Sequence, residues 1–194
     1  MFFRDLKPKR DVSLSVTLAR VHLPVRLGHR DAENSFAAPL ARQLAAAGLG
    51  VVSGCTAHES APADVFGVDL HIGLTNTSRE SLMTVARMLE HLSAPCGSSI
   101  RLIDGGEPVV FGASEGLELT VPNEATPDAD TRRSVAQVCT TALKDDGVFR
   151  GWVQRGGRTV FFFYGEDFAR MRARLSEALS GNPRFRAALT RRMA

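Results

Sequence analysis

Lysine is scarce in this chain. Of its 24 basic residues only Lys7, Lys9 and Lys144 are lysines, a bias of base composition rather than a selection for bidentate arginine contacts. Cysteine is scarce as well: Cys55, Cys96 and Cys139 stand far apart with no C-x-x-C spacing. That spacing excludes a zinc ribbon or a thioredoxin-type redox site and reads as reduced cytoplasmic thiols. No stretch approaches the ~18 apolar residues of a membrane-spanning helix, and the basic opening Met1-Phe2-Phe3-Arg4 is followed by no apolar leader core. A nucleophile elbow G-x-S-x-G and a P-loop are also missing. The expected setting is therefore the cytoplasm, with no membrane contact, no metal or other cofactor, and no catalysis.

What is present is ample core-forming material. At 194 residues and 44% hydrophobic content, the chain can build one large domain or two small ones without disulfides or a structural metal. The net charge of +3 is unevenly placed. From Phe168 to the end, seven arginines face Glu177 alone, 7 − 1 = +6, and the remainder is 17 − 20 = −3. A basic C-terminal segment thus follows a mildly acidic body.

Hydrophobic periodicity alternates between strand and helix. Leu14, Val16 and Leu18 share one face of a strand over residues 13–19, and Phe36, Leu40, Leu44 and Ala47 form a helical stripe that starts near Ser35 and closes at Gly48. A short strand over 49–53 leads through a loop to a longer one over 65–74. There Phe66, Val68, Leu70, Ile72 and Leu74 face the core, and Asp69 and His71 face away. Thr77-Ser78-Arg79-Glu80 reads as a capping box with Thr77 as the cap. It precedes a helix whose stripe is Leu82, Val85, Ala86, Leu89 and Leu92, and a further strand occupies 98–103.

This order, β-α-β-β-α-β, is the split βαβ plan: an antiparallel sheet with helices on one face. Turn residues from Asp104 to Ser114 mark a boundary, and the plan then repeats. A strand through Leu117, Leu119 and Val121 is followed by a helix from about Asp130 with Val135, Val138 and Ala142 inward. A hairpin of 148–154 and 159–164 turns at Arg155-Gly156-Gly157, and a helix follows with Phe168, Met171, Leu175 and Leu179 inward. The expected fold class is α+β, two tandem split βαβ units over 1–104 and 115–194, the second ending in a basic helix around Phe185 and Leu189.

The most enzyme-like cluster is Cys55, His58, Asp69 and His71. Residue types suited to a divalent metal are present, but neither i, i+4 histidines nor paired cysteines accompany them. A solvated sheet face also prefers such polar residues, and that is the favoured reading of the cluster. The aromatic run Val160 to Tyr164, with Arg155 and Arg158 nearby and the arginine-rich C-terminus, raises base stacking and RNA binding as the alternative function. The spacing of the RNA-binding octapeptide is missing, and a strand apolar on both faces is more often buried on both. A protein partner is the first expectation. Arg150, Trp152 and Gln154 would project from the open side if Phe149 and Val153 face inward, and Arg150 and Trp152 are the residue types that anchor interfaces. Arg150, Trp152, Tyr164, Asp69 and His71 are the candidate partner-binding residues.

The runs Gly48-Leu-Gly-Val-Val-Ser-Gly-Cys-Thr56, Val68-Asp-Leu-His-Ile-Gly-Leu-Thr75 and Ser93-Ala-Pro-Cys-Gly-Ser-Ser-Ile100 resemble small bacterial proteins encoded beside polymorphic toxins. So do Gly147-Val-Phe-Arg-Gly151 and Thr159-Val-Phe-Phe-Phe-Tyr-Gly165. Such proteins are taken to be immunity partners of the toxins. The resemblance implies a double ferredoxin-like fold and a non-enzymatic role in which the chain binds and neutralises a cognate toxin. It carries no catalytic residue across.

Overall fold

The computed structural model describes residues 16–61 and 64–193. Two ferredoxin-like units follow one another in an α+β fold. The first sheet has the strand order β2-β3-β1-β4-β5, from β1 (Thr17–Leu23), β2 (Gly50–Glu59), β3 (Val65–Leu74), β4 (Ser98–Leu102) and β5 (Val109–Phe111). The second has the order β7-β8-β6-β9, from β6 (Glu115–Pro122), β7 (Val148–Arg155), β8 (Arg158–Gly165) and β9 (Leu189–Met193). All strand pairings within the sheets are antiparallel. Helices α1 (His29–Ala32), α2 (Ala38–Ala47) and α3 (Arg79–His91) belong to the first unit, α4 (Ala129–Leu143) and α5 (Phe168–Ser180) to the second.

The first strand lies later than its sequence pattern places it. Ala19, Val21 and Leu23 are buried, whereas Val16 and Leu18 are exposed, so the inward face is the opposite one; residues 13–15 of the expected strand lie outside the described residues. Helix α2 is preceded without a break by a π turn over Glu33–Ala37 and by α1. Pro39 lacks the N–H that would bond the carbonyl of Ser35, and the widened turn just before it is the local adjustment. Gly48 closes the helix at φ 65°, the left-handed conformation a C-terminal glycine supplies.

Strand β2 runs ten residues, far past the expected Ser53, because irregularities at Val52/Gly54 and His58/Glu59 let it stay paired to β3 along its whole length. His58 therefore sits on a strand and not in a loop. The cap of α3 is Ser78, whose hydroxyl accepts from the Ser81 amide at 3.2 Å, with Asn76 accepting from the Ser78 amide at 2.9 Å. Thr77 is not the cap. Ser78→Ala is expected to cost about 1 kcal/mol, and Thr77→Ala less than ~0.5; thermal unfolding of the two variants, compared under the same conditions, checks the assignment.

In the second unit, Val135, Ala136, Cys139 and Leu143 of α4 are buried and Val138 is exposed, a stripe rotated slightly from the expected one. The β7–β8 hairpin turns at Gly156 (φ 56°) and Gly157 (φ 70°), the two positive φ values of a tight hairpin turn. The expected C-terminal helix is a correction: Leu189–Met193 is strand β9, paired with β6. Its partner contacts decide this, since a five-residue segment makes too few local hydrogen bonds to hold a helix against a full ladder. The expected boundary segment also supplies β5, which extends the first sheet beyond β4.

Each unit has one sheet face covered by its own helices. The other face of the second sheet is not free. Val160, Phe162, Tyr164 and Met193 join the core of the first unit, while Phe161 and Phe163, alternating with them on β8, face α4 and α5. The second sheet is thus covered on both sides along β8, and among the described residues the first sheet is covered on one.

Candidate functional site

Pleat and register define the uncovered face of the first sheet. Residues paired directly across strands share a face, so His71, Arg20 and Arg101 form one row across β3, β1 and β4, and Thr56, Asp69, His22 and Ser99 form the next. Val51, Gly73 and Leu18 make a third row, to which Val16 adds by lying over Gly73. Leu18 and Val51 are about half exposed, as is Ile103, whose amide bonds the Leu18 carbonyl. The face therefore carries an apolar strip beside a strip of basic and imidazole groups.

Asp69 is the centre of that polar strip. It is only 6% exposed, and its carboxylate accepts from His22 Nδ1 at 2.8 Å and pairs with His58 Nε2 at 3.0 Å and Arg20 at 3.6 Å. Phe66 stacks on His58 with ring centres 5.9 Å apart. His71 turns to Thr56 at 3.3 Å instead. Burial by itself raises the Asp69 carboxyl, but the hydrogen bonds and charges of His22 and His58 outweigh it and hold the group below the usual carboxylate range. A depressed folded-state value stabilises the fold above the unfolded carboxylate's range, ~3.9, and that contribution is lost as pH falls through the folded value. Asp69→Asn is expected to lower stability by about 1–2 kcal/mol at pH 7, with the gap from the native protein closing at the acid end. Urea unfolding across a pH series measures it.

His58, Asp69 and His71 were read together from sequence with Cys55, and the structure brings only His58 and Asp69 together. Cys55 is paired with Leu70 and packs toward the core, where burial pushes its thiol up to about 11. Among the described residues no group of three His, Cys, Asp or Glu side chains is arranged to hold a metal ion. His22, Arg20 and Arg101 were missed. The signal was available: with β1 placed two to four residues later, period two puts Arg20 and His22 on the same face as Asp69.

Three of the expected partner residues are corrected. Tyr164 is 1% exposed, and its hydroxyl accepts from the Arg26 amide at 3.1 Å in the first unit. Arg150 also turns inward, donating to the Leu92 carbonyl and lying 5.0 Å from the Phe36 ring centre; burial lowers its pKa, and its Nε finds no hydrogen-bond partner among the described residues. Trp152 does not project from an open face either. The bulge between Phe149 and Gly151 puts Phe149 and Trp152 on the same side, where Trp152 stacks on Phe149 at 6.0 Å and meets Phe161 edge-on at 6.1 Å. Gln154 is exposed as expected.

The RNA-binding alternative loses its surface by the same geometry. All of Val160 to Tyr164 is at most 2% exposed, so no base can stack there. The C-terminal arginines are largely answered by carboxylates. Arg191 pairs with buried Glu118 at 2.8 Å and Arg192 with Glu115, while Arg170 and Arg174 share Asp146. The chain Arg26–Asp64–Arg155–Glu118 carries this neutralisation across the junction of the units. The Ser60 hydroxyl, with Arg155 and Arg26 beside it, holds Asp64 below the usual carboxylate range.

No protein-family model and no curated protein sequence matches the chain. Among solved structures it is similar to an unknown protein from Galdieria sulphuraria (13% identity, TM-score 0.30, covering 92% of this chain and 96% of that one). It is also similar to the ligand-free regulatory subunit of aspartate kinase from Thermus thermophilus (13%, 0.28, 84% and 93%). A third is the first two RRM domains of yeast poly(U) binding protein (10%, 0.26, 91% and 99%). Likeness at these scores carries no argument about function. The strand orders and helix placement define the class, an α+β protein of two ferredoxin-like units. None of the helices in the described residues is long and apolar enough to cross a membrane.

Proposed function

We propose that this protein is a non-enzymatic protein-binding module, and that its partner, a cognate toxin, is neutralised by seating on the uncovered face of the first sheet. The observation that carries the reading is the composition of that face. A solvated antiparallel face is ordinarily polar, yet here Leu18, Val51 and Ile103 are exposed beside the basic row, which is the mixture of apolar area and arginine found at interfaces. Arg20 and Arg101 lie directly opposite each other, a like-charge pairing that an acidic partner relieves. The same charge argues against a second copy of this chain, whose equivalent face would repeat the cations. The toxin itself comes from the family resemblance alone, while the face supports only a partner with an acidic, partly apolar surface.

Co-expression with the product of the adjacent gene tests the reading. A complex is expected, with protection of cells from that product, and Arg20→Glu with Arg101→Glu is expected to weaken binding at least tenfold, about 1.4 kcal/mol, while leaving the fold intact. Absence of both complex and protection overturns it.

A further inference from the structure

Seven arginines follow Phe168, and five of them have partners. Arg170 and Arg174 pair with Asp146, Arg191 with Glu118 and Arg192 with Glu115, while Arg172 lies 5.9 Å from the Phe168 ring centre. Arg184 and Arg186 are exposed and make no ion pair within 4.0 Å among the described residues. Each of these two stands at the rim of a cavity in the helix layer of the second unit.

The cavities arise from the way the chain crosses that layer. After α5, a short 3-10 turn (Pro183–Phe185) leads to β9, and the Phe185 ring packs back onto the core between the helices and the sheet. A cavity of ≈ 350 Å³ lies between α4 and α5, with Val135, Val138 and Leu179 as apolar walls, Phe185 at one side and Arg184 at the rim. A second, of ≈ 290 Å³, lies between α5 and β9 and is bordered by the same Leu179 and Phe185, with Arg186 at its rim. Register agrees with this placement: Leu119 and Thr190, paired across β6 and β9, both line the second cavity, and Leu119 belongs to the helix-side core.

Three features give the larger cavity a definite chemistry. Its volume falls within the ~300–1,000 Å³ of ordinary ligand pockets, and mostly apolar walls with a few polar groups are what such pockets have. Val138 is 46% exposed, on a helix flank that solvent alone would favour as polar, so an apolar body laid there removes hydrocarbon from water. The charge at the rim is of one sign: Arg184 lines the cavity and no carboxylate does. The smaller cavity repeats the pairing of apolar wall and unanswered arginine.

We propose that the cavity between α4 and α5 binds a free amphipathic carboxylate of the medium-chain fatty-acid kind, its chain laid along Val135, Val138 and Leu179 against Phe185 and its carboxylate on Arg184. A guanidinium holds a carboxylate through two parallel hydrogen bonds. A small bare anion leaves the walls uncovered, and an amphipathic cation meets the arginine with like charge. The site lies in the second unit, on the helix side of its sheet, and neither this reading nor the open-face complex depends on the other.

The probes are octanoate, octylammonium and 1-octanol, which share a chain and differ in charge, each kept below its threshold for micelles or phase separation. Octanoate is expected to give saturable NMR shifts at the amides of Val138, Leu179 and Phe185, with octylammonium at least tenfold weaker. Arg184→Gln is expected to weaken octanoate at least fivefold and to leave octanol binding unchanged. Val138→Gln is expected to weaken both. The two replaced side chains are exposed, so circular dichroism spectra of both variants are expected to match the native one. No saturation with octanoate, equal binding of octylammonium, or undiminished octanoate binding by Arg184→Gln overturns the site. Shifts that appear only above the micelle threshold overturn it too, because they report adsorption to an assembled lipid surface. In none of these cases is the open-face complex affected.

Discussion

Tyr164→Ala is expected to destabilise the protein by about 3–5 kcal/mol, the range for truncating a fully buried large aromatic. Tyr164 heads the fully buried side chains by size, and it sits where the second sheet closes on the first unit. Its ring belongs to the first unit's core although its strand belongs to the second. The hydroxyl accepts from the Arg26 amide and lies 4.0 Å from the Met193 sulfur, and burial pushes its pKa up to about 12. Tyr164→Phe keeps the ring and loses only the hydrogen bond, so about 1 kcal/mol is expected there. Urea unfolding of both variants measures these values. A loss below ~1 kcal/mol for the alanine variant would mean that the units do not meet as described.

Phe161→Ala is expected to cost a similar ~3–5 kcal/mol, by a different route. Phe161 is fully buried three residues earlier on the same strand, but it points toward α4 and α5 and touches the rings of Phe149 and Trp152. Its loss empties the second unit's own core. The two substitutions therefore separate intra-unit packing from inter-unit packing. Phe161→Ala is expected to shift the emission of Trp152, its edge-on neighbour, in the folded state; Tyr164→Ala is expected to leave that emission unchanged, because its ring lies on the other side of the sheet. Fluorescence spectra of the folded variants distinguish the two, and identical shifts would contradict the assignment of faces.

Much of the plan was legible in the chain. The alternation through Val68, Leu70, Ile72 and Leu74, the α3 stripe, and the Gly156-Gly157 turn are local patterns, and each appears where its period or turn chemistry places it. Two kinds of information were not local. One is the point at which a strand begins or ends. β1 starts later and β2 ends later than their patterns, because pairing to β3 offers more hydrogen bonds than either segment's own sequence signals. The other is what covers a face. Val160 to Tyr164 reads as apolar on both sides, yet nothing in it states that one side meets α4 and α5 and the other meets a different unit.

The candidate site divides along the same line. Asp69 and His71 were placed side by side by the period of β3, whereas His22, His58 and Arg20 reached Asp69 through cross-strand register, which joins residues 11 to 49 positions apart. The bulge in β7 reversed the expected side of Trp152. One extra residue in a strand shifts every later side chain to the other face, and no composition or charge count records it.

The sequence by itself determined the α+β class, the two-unit repeat, most helices and the polar character of the β3 outer face, because periodicity and turn residues act over a few neighbours. Only the tertiary structure decided that the basic C-terminus ends as strand β9, that four of its seven arginines pair with Glu115, Glu118 and Asp146, and that among the described residues no element covers the outer face of the first sheet. Those outcomes depend on which distant segments win the pairing and packing of each edge and face, and that contest is settled by the whole chain at once.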